Sequence, residues 1–285
     1  MAHSKLWNKD FFLLWQGQLV SQLGNQAFAI AMAFWIKHQT GSASIMGLVM
    51  MAATLPSVLL GPFGGTFADM HSRKKIIVFC DLFNGMAVLS LAALIMHDPL
   101  AVELILPWLF AVSVFVSIVN AFFRPAVTAS IPDIVPEQSV AAANSLNESS
   151  VQIATFTGQA LGGVLFRLFG PAALFLIDGS TYIFSSFSEV FIHVPQNLPA
   201  QKPGMSEIMR SFREDTLAGF RFVWERKGMR NMYLVAAVLN FFLVPVIVLL
   251  PFYVEDFLKA GTVWYGYLMA AFGAGSLIGY LFAGT

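Results

Sequence analysis

The chain of 285 residues has a single cysteine, Cys80, so no internal disulfide can brace it. Charge is scarce: 11% of residues are Asp, Glu, Lys or Arg, against roughly 25% in a typical soluble domain. His3, His38, His71, His97 and His193 stand far apart, with no metal-ligand spacing. There is no Gly-x-Ser-x-Gly and no phosphate-binding loop. These absences point away from an enzyme, and neither a metal nor a cofactor is expected. A cleavable signal peptide is also missing from the pattern, because the first apolar stretch is too long and no small-residue cleavage site follows it.

Apolar residues fill the space that charge leaves, at 57% of the chain. Each bilayer-spanning helix needs about 20 of them in a run. Eight such stretches lie near 11–36, 44–68, 76–96, 104–123, 143–167, 172–194, 230–254 and 263–285. Lipid offers no partner for open backbone groups, so helices are expected. A β-barrel would show short alternating segments instead. The fold class read from this is an all-α membrane protein.

The formal net charge of zero hides an ordering. With the N-terminus placed inside, cytoplasmic cations are Lys5, Lys9, Arg73, Lys74, Lys75, Arg124, Lys202, Arg210, Arg213, Arg221, Arg226, Lys227 and Arg230. Only Lys37, Arg167 and Lys259 fall outside. That is the bias the positive-inside rule predicts for a multi-pass plasma (inner) membrane protein with a cytoplasmic N-terminus. Such clusters orient helices and meet anionic lipid, and they are no sign of nucleic-acid binding.

Three segments are expected: a six-helix bundle over 1–194, a cytoplasmic linker over 195–229, and two further spans over 230–285. In the linker, Ile208, Phe212, Phe220, Val223 and Trp224 recur at helical spacing among charged residues. That reads as an amphipathic helix on the membrane surface, serving as a linker or docking a partner. A shift of 219 residues lays Gly47, Met50, Ala52, Ser57, Gly65 and Thr66 on Gly266, Met269, Ala271, Ser276, Gly284 and Thr285. Span eight then repeats span two. The chain is expected to be the first two thirds of a longer protein, ending inside its eighth helix.

Between the second and third spans lies Gly65-x-x-x-Asp69-x-x-x-Arg73-Lys74. Helix one carries Gly17-Gln18-Leu19-Val20-Ser21-Gln22-Leu23-Gly24, and Arg124-Pro125-Ala126 follows helix four. Ile131-Pro132-Asp133-Ile134-Val135-Pro136 and Ala141-Ala142-Ala143-Asn144-Ser145-Leu146 lead into helix five. Together these resemble the macrolide and enterobactin exporter branch of the major facilitator superfamily, over essentially the whole chain. Met70 and Ser72 depart from the loop signature, Ser72 standing where the family has a turn glycine. Ala154-x-x-x-Gly158-Gln159-x-x-Gly162-Gly163 resembles the helix-five motif of drug–proton antiporters, with Gln159 in place of its proline.

The resemblance implies a complete N-terminal bundle plus the first two helices of a second bundle. It also implies alternating access and proton-driven export, with small molecule and protons as partners and no obligate protein partner. The gating motif would be Gly65, Asp69, Arg73 and Lys74. Its acid would pair with Arg73 and meet the N-terminus of a second-bundle helix, where the dipole favours it by about 0.3–1 kcal/mol. The alternative is that these residues only fix topology.

Polar stripes mark the candidate cavity. Gln18, Gln22 and Asn25 share a face of helix one. Ser113, Ser117, Asn120 and Arg124 share a face of helix four. Asn144, Glu148, Gln152, Thr155 and Gln159 share a face of helix five. Polar faces avoid lipid, so they face a wet cavity or other helices. The candidate substrate residues are Gln18, Gln22, Asn25, Ser117, Asn120, Gln152, Thr155 and Gln159. Glu148, Asp178 and Asp81 are the proton-coupling candidates, read as acids buried within spans. A structural partner role is the alternative for each. The expected function is secondary efflux of an amphipathic drug, macrolide or siderophore. A lysophospholipid flippase and a non-transporting membrane protein remain alternatives.

Overall fold

The computed structural model describes residues 6–196 and 205–283. Local chemistry sets the helix ends. The Asn8 side chain accepts from the Phe11 N–H and opens α1 (Lys9–Thr40), which closes on Gly41 at φ 61°. Ser42 caps α2 (Ala43–Met70) and Ser72 caps α3 (Arg73–His97). Ser72 thus explains its own departure from the signature. It sits at φ −60° and accepts from the Lys75 N–H, so no left-handed residue is needed at this turn.

α4 (Val102–Ile134) runs some three turns beyond the expected span. It passes through Pro125 and Pro132, since prolines are tolerated where neighbouring helices support the backbone. A short turn leads into α5 (Val140–Glu189), followed by α6 (Met205–Glu225), α7 (Lys227–Phe252), a wide turn at Tyr253–Phe257, and α8 (Thr262–Ala283).

α5 is a hairpin. Gly170 takes φ 72° and ψ 173°, and Pro171 follows. Trp15 donates to Ser150 and Gln26 to Thr155, so α1 runs parallel to the arm 140–169. Gln16 donates to Ser188 and Tyr182 donates to Asn25, so α1 runs antiparallel to the arm 171–189. The two arms correspond to the spans expected at 143–167 and 172–194. Six described helical stretches are long and apolar enough to cross a membrane, with α5 counted once.

α1 packs between the two arms of α5, while α2 packs on α4, and α3 bridges α4 to the second arm. Phe34, Trp35, Leu91 and Phe175 centre one apolar cluster; Phe11, Ile77 and Ile134 centre another at the end bearing Asn8. α8 lies against the first arm of α5. α7 buries almost none of its apolar face among the described residues. α6 meets α2 through stacked Phe63 and Phe212, ring centroids 4.1 Å apart.

Candidate functional site: a polar cavity and two ion-pair ends

A cavity of about 510 Å³ opens where four helices bring polar faces together. α1 supplies Gln18, Ser21, Gln22 and Asn25, and α2 supplies Thr54 and Ser57. Asn120, Arg124 and Thr128 come from α4, with Asn147 and Glu148 from the first arm of α5. Phe123, Val127 and Val151 add apolar patches, and Tyr182 reaches in from the second arm. Opposite charges, Arg124 and Glu148, therefore line one wet volume. Its wall offers both polar and apolar surface.

Six residues of the polar stripes meet here: Gln18, Gln22, Asn25, Asn120, Arg124 and Glu148. The others do not line it. Ser117 is buried and accepts the Ser57 N–H at 3.0 Å. Thr155 accepts from Gln26 and donates to the Val151 carbonyl. Gln152 is exposed outside the cavity, and Gln159 is half-buried where the first arm approaches Gly266 of α8. Helical period placed these side chains on one face, but neighbouring helices divide that face.

The acids also need revision. Glu148 is exposed in the cavity, not buried, because this side of the bundle is open. Asp81 and Asp178 lie away from the cavity, sealed between α3, α1 and the second arm of α5. Glu189, absent from the sequence candidates, is sealed with them. Its position four residues after Ser185 and eleven after Asp178 was the available signal.

At the end bearing Asn8, Arg73 holds two helix termini. It donates to Asp69 at 2.9 Å, to Asp133 at 2.5 Å and to the Ala129 carbonyl at 2.9 Å. The expected Asp69–Arg73 pair is present, with Asp69 largely exposed. Gln196 accepts from the Arg73 N–H and donates to the Ala68 carbonyl, stitching the same turn. Lys74 is half-buried and makes no ion pair among the described residues. The close glycine contact falls at Gly64, where an added Cβ would strike the Ala121 carbonyl; at Gly65 an added Cβ would meet open space among the described residues. Gly158 and Gly162 do let the first arm close on Gln26 and Ile30 of α1.

At the other end of α1, Lys37 donates to Glu255 at 2.7 Å and to Asp256 at 2.9 Å, and His38 lies 3.0 Å from Glu255. These acids belong to the turn between α7 and α8. The contact joins the first six spans to the last two.

A family model described as "Transmembrane secretion effector" matches residues 1–285. The chain belongs to that family of major facilitator transporters. Macrolide efflux protein A of Streptococcus pyogenes is 26% identical over 98% of this chain and 67% of its own length. Multidrug efflux pump Tap of Mycolicibacterium fortuitum is 24% identical over 92% of this chain and 64% of its own length. A solved bacterial homologue of the human lysosomal transporter Spinster, inward-facing and unoccupied, shares the fold at TM-score 0.73 and 18% identity. That likeness covers 96% of this chain and 61% of the solved one. The chain thus spans about two thirds of the length of such relatives. This major facilitator protein is a multi-pass membrane protein of a transporter family, with efflux-type relatives.

Proposed function

We propose that this major facilitator protein carries the substrate cavity of a proton-coupled exporter of amphipathic small molecules, working by alternating access with its N-terminus in the cytoplasm. The observation that carries the reading is the joint placement of Glu148 and Arg124 in a polar cavity of about 510 Å³. The efflux names of the relatives support it. Glu148 faces the guest directly, so a proton on its carboxylate and a cationic or hydrogen-bonding substrate compete for one group. Asp69 is free enough of burial to meet a further partner while held by Arg73, which suits a latch at the cytoplasmic end.

The test is efflux of erythromycin from energised cells expressing the protein. Glu148→Gln should abolish the pH-gradient-dependent part, and Asp69→Asn should slow it. Undiminished gradient-driven efflux in Glu148→Gln would refute the coupling role. Unchanged rates in Asp69→Asn would refute the latch.

A second reading, movement of a lysophospholipid, is favoured by an apolar cleft of about 260 Å³ between α1 and both arms of α5, lined by Leu23, Ala27, Leu161 and Leu174. Labelled lysolipid in the same cells separates the two: leaflet transfer without erythromycin efflux selects the lipid.

A further inference from the structure

Three carboxyl groups lie out of reach of water behind the cavity wall. Asp81 and Glu189 are 0% exposed and Asp178 is 1% exposed. Asp81 of α3 and Glu189 of the second arm of α5 face one another. Two ionised carboxylates have only acceptors to offer each other, so their contact calls for a proton between them. Glu189 Oε1 accepts from Gln18 at 2.8 Å and from Ser185 at 3.3 Å. Glu189 Oε2, both Asp81 oxygens and the Asn84 Oδ1 are buried with no donor. Unpaired buried acceptors of this kind are expensive. Among the described residues no cation pairs with any of the three acids. No described group of acids, cysteines and histidines is placed to hold a metal ion. Cys80 from α3, and Asp178 and Tyr182 from the second arm, are the other titratable groups facing this cluster. α1 presents Gln18.

We propose that Asp81 and Glu189 form a proton-binding pair behind the substrate cavity, connected to it through Gln18. The proposal rests on reading the cavity as the substrate site. Gln18 belongs to both places: it lines the cavity, and its amide N–H holds Glu189. With one proton shared by the pair, Glu189 Oε1 stays an acceptor and fixes that amide at the cavity wall. When a second proton arrives from the aqueous phase, an O–H bond forms on Glu189 Oε1 as the O–H bond of the donating hydronium breaks, leaving water. The acceptor strength of Glu189 falls, and Gln18 is released to turn. Proton and substrate then oppose each other, which is the sign that exchange transport requires. Gln18 is a positioning residue in this scheme, and the acids are the proton site.

The test is infrared titration of the purified chain in liposomes, with bulk pH varied and no substrate present. The expected wild-type spectrum contains a protonated-carboxyl stretch that titrates. Glu189→Gln and Asp81→Asn should each reduce it by half or more, and Glu103→Gln, at an exposed acid outside the cavity, should leave that component in place. If one variant does not fold, the other decides. The pair is refuted if no such component titrates in the wild type, if a folded variant of either acid keeps it whole, or if Asp178→Asn alone removes it. The readout needs no transport, so a failed efflux assay refutes the exporter reading while leaving this result to stand or fall by itself.

Discussion

Ser117 shows how a single side chain can be spent on structure. Pro56 lies within α2, where its ring disturbs the preceding turn of the hydrogen-bond ladder. The next N–H, on Ser57, donates to the Ser117 hydroxyl of α4. Ser117→Ala should remove that bond between α2 and α4 and cost about 0.5–1.5 kcal/mol, seen as a lower thermal midpoint. An unchanged midpoint would show that the bond is dispensable. The candidate cavity was partly legible at this scale. Gln18, Gln22 and Asn25 could be read because the whole face of α1 between 18 and 25 turns to one wet volume. Ser117 and Thr155 were not, because period gives the face and not the partner that consumes the hydroxyl. Glu189 was hidden for another reason: its significance depends on Asp81, which lies 108 positions away in the chain.

At the scale of the element, small residues set which helices can touch. Gly64 lets α2 approach the backbone of α4 at Ala121 and Phe122. Gly64→Ala would push a methyl group into a carbonyl, and rigid overpacking costs about 1–3 kcal/mol. Gly65→Ala should leave thermal stability within measurement error. A difference scan on the two purified variants checks the pair, and equal midpoints would remove Gly64 from its role. The spans themselves were readable from sequence, because lipid demands long apolar runs whatever the tertiary packing. The length of α4 was not, since its last three turns are held by contacts such as Arg73 with Asp133 and Asn8 with the Ile134 carbonyl.

Across the whole molecule, the two ends of α1 are tied differently. Near Asn8, Arg73 links termini within the first six spans. Near Thr40, Lys37 reaches across to the turn after α7 and keeps only 7% of its side chain exposed. The second contact must open if the cavity is to be reached from that end. Lys37→Ala should therefore speed thiol labelling of an A53C probe in the cavity severalfold, in a background where Cys80 is replaced by serine. A labelling rate equal to that of the probe alone would show that the clamp does not restrain opening. The hairpin at Gly170 bears on an earlier moment in the life of the protein. Between 149 and 177 the chain carries one charge, Arg167, and no hydrophilic loop. During synthesis the two arms can enter the bilayer together, as one unit, with a single charged side chain between them.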